Sequence, residues 1–370
     1  MFPPPTGRSP SREQVRTLDD SFFSSNPYSY FLARIDSLIS YADGASANLE
    51  TGVGAAFARH LGWVRDKEII ATTESARELQ VAVDTMSLRQ HASEAVARLW
   101  LALLQTRHEA SGSVSIWATL TSTPTKNSAA LNAIMECNGW DDPRVHQTLL
   151  LPEPYFTRFE TDALVRQGAD VLHKWLEHIP MLLTRNDIHI AAANNKYKHG
   201  LAIRPRNDER ISIFRAISSE SDAPISATEE VVIFDKPFVE YLAEGPSDES
   251  GKHGLELTRL RLDTPVLLVE ATMLATLYGA LFHVAGAKYA TWSDSVGEIA
   301  SYPPLPLGPT PEQLLSKSIT GMRSPVTFRP DGSPATRGHA IGFNSGEWVT
   351  MDVDYSSHRK ARFVADVEDV

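Results

Sequence analysis

The segment TPVLLVEATMLATLYGALFHVAGA, residues 264–287, is the strongest indicator of the class of fold. It is long and apolar enough to cross a bilayer. It contains Glu270 and His283, however, and ionisable groups are costly in lipid. Its flanks also lack the Lys and Arg asymmetry that orients a membrane span. We therefore expect the central helix of a bundle, with these two groups paired to neighbouring residues because burial would otherwise be costly.

Amphipathic patterns on the N-terminal side of this segment predict the helices that surround it. A helix from about Thr73 to Ala110 carries an apolar stripe over residues 96–104 and is followed by a Gly terminator. The same spacing recurs over residues 155–180. Pro180 is expected to begin a further helix, PMLLTRNDIHIAAANNKYK.

After Gly200 the hydrophobic period changes from that of a helix to that of a strand. The runs LAIRP and ISIFRAI, separated by the turn-like RNDER, predict a hairpin, and EVVIF and GLELTRLRL predict two further strands. The predicted fold is therefore mainly α, a helical bundle with a small antiparallel β-sheet inserted at about 201–262.

The two ends of the chain are expected to differ from the bundle domain at 23–292. Residues 1–22 have too little apolar content to offset chain entropy, which predicts a disordered tail. Residues 293–370 begin with the Pro-rich linker SYPPLPLGPTP. Within them, Thr310 and Gln313 form a capping-box pattern that predicts a short helix, and AIGFNSGEWVTMDV predicts a β-hairpin.

Composition limits the classes of function. The 370 residues carry a net charge of −11 at pH 7, so bulk electrostatics would not coat nucleic acid, although a local basic strip could bind phosphate. Cys137 is the single cysteine, which excludes a disulfide within the chain and a thiolate metal cluster. The N-terminal residues lack the apolar core of a secretory signal, so we expect a cytoplasmic protein with no membrane partner.

The stretch AAANNKYKHGLAI, residues 191–203, places Lys196, Lys198 and His199 together in this acidic chain. An ordinary explanation exists. Cations near a helix C-terminus interact with its exposed carbonyls, each contributing roughly 0.3–1 kcal/mol. Gly200 would then supply the left-handed residue that ends the helix.

The same stretch resembles the motif of the HEPN superfamily, helical-bundle proteins found in toxins, defence systems and RNA processing. The active-site helix of that family commonly ends in a sequence like Arg-Asn-x-x-x-His-Gly, which Asn195, His199 and Gly200 match. The resemblance implies a helical fold, RNA as a partner, and a homodimer in which the Arg and His act on the phosphodiester. Asn194 stands where the motif has Arg, so this chain departs from the pattern at a reacting position.

The chemistry shows why that departure matters. Metal-independent cleavage of RNA needs a base for the 2′-hydroxyl proton and a cation for the charge that develops on the phosphate. His199, with Asn195 beside it, is the candidate catalytic pair, because the pKa of imidazole lies near neutrality. Lys196, Lys198, Arg185 and Arg204 are the candidate phosphate contacts, although a lysine offers a point charge and not a planar fork. No cofactor or metal is expected.

Arginines also recur on the predicted strands. Arg204, Arg206, Arg210 and Arg215 make the first hairpin locally basic. Arg259 and Arg261 share one face of the fourth strand. A sheet face that binds phosphate and a solvated sheet that resists edge pairing are both compatible with this pattern, and the second is the more ordinary.

Two functions remain open from the sequence. The first is a HEPN-like protein that binds or acts on RNA, degenerate as a nuclease, in a toxin or defence setting. The second is a non-catalytic helical scaffold or protein-interaction module, in which residues 264–287 support oligomerisation and the basic residues only finish a helix.

Overall fold

The computed structural model describes residues 10–45, 51–60, 72–107, 114–121, 131–136 except 133, 149–184, 190–200 except 199, 202–214 except 209, 230–247 except 235, 253–293 except 292, 297–315, 319–343 except 331, and 348–351. The fold is mainly α with a small antiparallel sheet, as predicted. The helices are α1 (Arg12–Phe23), α2 (Pro27–Ala42), α3 (Gly52–His60), α4 (Glu74–Arg107), α5 (Ile116–Thr121), α6 (Glu153–Phe156), α7 (Ala163–Thr184), α8 (Ile190–Lys198), α9 (Thr264–Ala290) and α10 (Pro311–Leu315).

The strands form two antiparallel sheets. They are β1 (Arg204–Arg206), β2 (Ile211–Phe214), β3 (Glu230–Phe234), β4 (Phe238–Ser247), β5 (His253–Arg261), β6 (Ile319–Pro325), β7 (His339–Phe343) and β8 (Trp348–Met351). The larger sheet has the order β1-β4-β5-β6-β7-β8, and β2 pairs with β3 in the second sheet.

The chain divides into two compact units, and each is built from segments distant in sequence. The helical unit consists of Met1–Ile35, Leu88–Thr184 and Leu268–Leu314. The sheet unit consists of Asp36–Ser87, Arg185–Leu267 and Leu315–Val370, and it contains α3, α8 and all of the strands.

Helix α9 supplies the core of the helical unit. Its side chains Leu274, Leu277 and Leu281 are fully buried. By length and composition alone it could cross a membrane, but 72% of its apolar 18-residue stretch is buried inside the protein. Neighbouring side chains approach it closely: Phe23 of α1 lies 5.4 Å from Phe282, measured between ring centroids. Burial of this kind is that of a core helix.

The carboxylate of Glu270 is the polar exception inside this core. Nη2 of Arg89, on α4, lies 3.4 Å from Oε1 of Glu270, and the two side chains are only 5% and 4% exposed. Burial raises the pKa of Glu270 above its ordinary value, and Arg89 opposes that rise. His283, the other ionisable group of this segment, bonds through Nδ1 to the carbonyl oxygen of Ala300 at 2.8 Å. Both groups therefore have the partners that the sequence required.

The predicted disordered tail is in part a helix. Residues 12–23 form α1, which begins with a capping box between Ser11 and Gln14. Val15, Asp19 and Phe23 are buried, and their four-residue spacing places them on one face of the helix. The prediction of disorder was wrong because it used the average apolar content of residues 1–22. Three buried residues in a polar segment change that average little.

The predicted Pro-rich linker is an ordered strap, residues 301–310, in the helical unit. It continues into α10, where Thr310 and Gln313 exchange backbone-to-side-chain hydrogen bonds at 2.9 and 3.3 Å. The predicted capping box and short helix are therefore confirmed.

The predicted terminal hairpin is also confirmed, as β7 and β8, but it belongs to the larger sheet and is not a separate element.

The strand pairings differ from the predicted insertion. The predicted first hairpin was wrong, because β1 pairs with β4 and β2 pairs with β3. The pattern missed β4, and the sheet extends past residue 262, because β6, β7 and β8 join it from the C-terminal part of the chain. Strand pairing depends on which distant segments meet, and a local alternation of polar and apolar residues does not specify that.

One face of the larger sheet carries α8. Val239 and Tyr241 of β4, with Leu260 of β5, pack in one cluster with Met86 of α4 and Ala193 of α8. This cluster fixes which side of α8 is turned inward.

We predict that the Arg89–Glu270 pair behaves as a coupled unit. Arg89→Met leaves a buried carboxylate unpaired and should lower the free energy of unfolding by about 3–5 kcal/mol near neutral pH. Adding Glu270→Leu should recover most of that loss, because two apolar side chains replace the pair. Urea unfolding of wild type and the three variants, including Glu270→Leu alone, measures the coupling.

The same pair has a defined dependence on pH. Because its folded-state pKa is raised, Glu270 holds a proton in the fold at a pH where the unfolded chain has lost it. Its contribution to stability is therefore present below the ordinary pKa of 4.5 and declines as pH rises through the folded-state pKa. The cost of Arg89→Met should accordingly be larger at pH 8 than at pH 5. An equal cost at both pH values, or a double variant as unstable as Arg89→Met, would contradict this account.

Candidate phosphate-binding turn of α8

Helix α8 ends in a way that the sequence anticipates, but its predicted start at Pro180 was wrong, because Pro180 lies inside α7 and α8 begins at Ile190. Alanines over 191–193 favour the helix, and Lys196 and Lys198 lie in its last turn. Gly200 has a φ of +130°, a conformation that side-chain-bearing residues rarely adopt. The amide of Ala202 then donates to the carbonyl oxygen of Lys196 at 3.0 Å, which satisfies one of the exposed carbonyls of the helix end.

The inner face of α8 contains the residue that departs from the HEPN motif. Ala193 and Asn194 are fully buried, and Tyr197 is half-buried with its hydroxyl donating to Oδ1 of Asp84 at 3.1 Å. Burial, and to a smaller degree the charge of Asp84, raises the pKa of Tyr197. The tyrosine therefore anchors α8 to α4 as a neutral donor.

Asn194 is buried without a hydrogen-bond partner. Its side chain is 0% exposed, and neither Oδ1 nor Nδ2 is hydrogen-bonded within the part of the chain that the structure describes. A buried amide without partners destabilises a fold by about 1–3 kcal/mol. The position that holds the reacting arginine in the HEPN motif thus faces the core in this chain, where it cannot meet a phosphate from solvent.

The outer face of α8 carries Asn195, which matches the motif, and Lys198, which does not belong to it. Asn195 and Lys198 are exposed, and their three-residue spacing puts them on the same face of the helix. Lys196 is half-buried. Among the described residues, neither lysine forms an ion pair. His199 and Arg185, the predicted base and a predicted cation, lie outside the described residues.

Arg204, another predicted phosphate contact, already has a carboxylate partner. Its Nε donates to Oε2 of Glu240 at 2.7 Å, and its Nη2 contacts the same oxygen. Glu240, only 3% exposed, also accepts a hydrogen bond from Nε of Arg259 at 2.8 Å. One buried carboxylate thus holds two arginines together on the sheet, which gives Arg204 a structural role.

Other arginines on or beside the strands also pair with carboxylates. Arg259 and Arg261 do lie on one face of β5 by register, as predicted. Arg206 makes two hydrogen bonds of 2.8 Å to Asp208 and lowers the pKa of that carboxyl group. Arg261 lies 3.9 Å from Asp263. The pairing of these arginines with carboxylates favours the structural interpretation of the basic sheet over a phosphate-binding face.

Glu240 was not among the predicted site residues, because the sequence pattern did not predict β4. The signal was present in FVEYLAE, residues 238–244, where polar Glu240 and Glu244 alternate imperfectly with apolar residues. Its pairing with Arg204 and Arg259 was not visible, because Arg204 is on β1 and Arg259 on β5.

In this turn the described residues supply two lysines and the amide of Asn195. Among them, no group of three His, Cys, Asp or Glu side chains could hold a metal ion. Two lysines and an amide at a helix end can bind an anion, but the described residues do not combine a general base with a planar cation.

Comparisons with protein-family models, with curated proteins and with solved structures give no match to this chain. The likeness to HEPN proteins therefore depends on Asn195, His199 and Gly200 and on the helical fold.

We predict that substitution by arginine destabilises the fold at position 194 of α8 and is tolerated at position 195. Asn194→Arg should lower the free energy of unfolding by about 3 kcal/mol or more, because it buries an unpaired charge. Asn195→Arg, the matched control on the exposed face, should change it by no more than about 0.5 kcal/mol.

A third variant, Asn194→Leu, should be neutral or stabilising by about 1 kcal/mol, because it removes an amide that has no partner. Thermal and urea unfolding give these values. A well-tolerated Asn194→Arg would show that the side chain can reach solvent and would restore the catalytic interpretation.

Proposed function

We propose that this protein binds single-stranded RNA through the last turn of α8 and does not cleave RNA at this site. The observation that carries the proposal is the pair Lys196 and Lys198, which form no ion pair among the described residues of a chain of net charge −11, beside exposed Asn195. In contrast, arginines of the sheet such as Arg204 and Arg259 are held by Glu240.

The chemistry of these three residues suits a nucleic acid strand. Each lysine that contacts a phosphate releases condensed counterions, which for single strands changes log K by about −0.7 per unit of log salt. The amide of Asn195 can donate and accept at once, and so can bind a phosphate oxygen, a 2′-hydroxyl or a base edge. Two phosphate contacts predict modest affinity with a shallow dependence on salt.

The absence of cleavage follows from Asn194. In the HEPN motif this position supplies the planar cation, and here it is an amide enclosed in the core. Lys196 and Lys198 follow two and four residues later, and each offers a point charge at a different position and not the planar cation of an arginine. The resemblance therefore supports a degenerate HEPN-like protein that holds RNA, and it relates such a protein to toxin and defence systems and to a homodimer.

The scaffold alternative has less support. It relied on the apolar helix α9 to join copies of the chain, but most of that helix is buried within its own protein. Little apolar surface of α9 remains for a partner.

The test is RNA affinity measured by fluorescence anisotropy with a labelled single-stranded RNA. Lys196→Ala/Lys198→Ala should weaken binding about tenfold, or about 1.4 kcal/mol, at low salt. It should also make the slope of log K against log salt shallower by about 1.4. Lys236→Ala is the matched control, because that lysine is exposed in the same unit and does not belong to α8.

An unchanged affinity and salt slope in the double variant would remove the proposed site. The claim about cleavage is tested separately, by incubating the protein with RNA in the presence of a chelator beside His199→Ala. Cleavage by the wild type that His199→Ala abolishes would show that the site is catalytic after all.

A further inference from the structure

The strap, residues 301–310, lies in a groove of the helical unit formed largely by α6, α7 and the residues around them. Prolines at 303, 304, 306 and 309 fix their own φ angles and hold the residues before them extended. A segment of this composition favours a polyproline-like conformation that makes no hydrogen bonds of its own. Its order must therefore come from the groove.

Side chains of α7 bind the strap through its backbone carbonyls. Nε2 of Gln167 donates to the carbonyl oxygen of Leu307 at 2.6 Å, and Nε1 of the buried Trp175 donates to that of Pro309 at 2.8 Å. In the opposite direction, the hydroxyl of Tyr302 donates to the carbonyl oxygen of Leu150 at 2.7 Å. Aromatic-lined grooves that receive an extended proline-rich segment are the way proteins recognise polyproline ligands.

An apolar side chain fixes the register of the strap. Leu305 enters a notch at Gly168, where a Cβ atom would lie 2.3 Å from Cγ of Leu305. The notch is walled by Leu151, Val165 and Ala169, with the aromatic residues Tyr155 and Phe159 beside them. A single leucine thus fits a glycine-sized gap in an aromatic-lined groove.

Open space lies beside the C-terminal half of the strap, where Leu307 and Thr310 of the strap form part of its lining. A hollow of about 350 Å³ adjoins Leu307, lined on one side by Gln167, Asp170 and Lys174 of α7 and on the other by Glu312 and Gln313. Leu307 itself is 49% exposed. The strap therefore leaves part of the surface beside α7 open.

We propose that this groove is a recognition site for proline-rich protein segments, closed in the isolated chain by its own strap. The partner it fits has the order of the strap: an aromatic residue, two prolines, and a leucine followed by proline. This inference is independent of the proposed RNA site, because it rests on α7 and the strap and on no residue of α8.

The strap acts as an intramolecular competitor. It is tethered at both ends, so its effective concentration at the groove is on the order of millimolar or higher, and a free peptide has to compete with it. Wild-type protein should therefore bind such a peptide weakly. Any change that weakens the strap without altering the groove should strengthen binding of the peptide.

The experiment titrates a fluorescein-labelled peptide of residues 300–312 into the full chain. Leu305→Ala in the protein removes the side chain that fills the notch and leaves α6 and α7 unchanged. The peptide should bind this variant at least about tenfold more tightly than it binds wild type. Circular dichroism and thermal unfolding test whether the Leu305→Ala protein is folded. If it is unfolded, the Leu305→Val protein is used in its place in every measurement.

Two controls locate the bound peptide. A peptide with Leu305→Ala should bind the variant protein at least about tenfold more weakly, because it cannot fill the notch. The protein variant Leu305→Ala/Gly168→Leu fills the notch from α7 and should lose peptide binding.

Several outcomes would overturn the proposal. These are a folded Leu305→Ala protein that binds the peptide no better than wild type, and equal binding of the two peptides. Dimerisation of the variant without peptide binding, seen by size-exclusion chromatography, would instead assign the groove to a second copy of the chain.

Discussion

Burial of α9 organises the helical unit. A helix that is apolar on nearly every side must be covered on nearly every side, and the covering comes from parts of the chain far apart in sequence. Phe23 of α1 packs on Phe282, and Tyr28 of α2 lies where a side chain at Gly279 would be. Glu270, the one carboxylate in this helix, needs a cation from another helix, and Arg89 supplies it. The pair ties α4 to α9 at the position where an unpaired charge would be most costly.

The candidate site follows from a similar constraint in the sheet unit. Helix α8 lies on the sheet through Ala193 and Tyr197, and this orientation turns Asn194 inward and Asn195 and Lys198 outward. The orientation therefore places two adjacent positions of the stretch that resembles the HEPN motif on opposite sides of the helix. It leaves Asn195 and Lys198, two of the residues proposed to bind RNA, at the surface and encloses Asn194. A likeness in sequence order alone does not show which of these residues face a substrate.

The strap shows how a proline-rich segment becomes part of a fold. Its prolines have no amide protons to donate to a sheet, so the strap is held through its backbone carbonyls, the hydroxyl of Tyr302 and the side chain of Leu305. Gln167, Trp175 and the notch at Gly168 recognise these features in the way a separate binding protein would. The composition of this segment is typical of a linker, but in the fold it is bound by side chains of the same chain.

Local sequence was sufficient to predict the helices with strong periodicity, the role of 264–287 as a core helix, the capped helix at Thr310 and the end of α8 at Gly200. These features depend on local spacing and backbone preference, which a single segment expresses. Long-range packing was needed to show that β1 pairs with β4, that Glu240 holds Arg204 and Arg259, that Phe23 belongs to the core and that Asn194 is enclosed. Each of these outcomes depends on which distant segments meet, because burial and pairing are properties of two or more segments together.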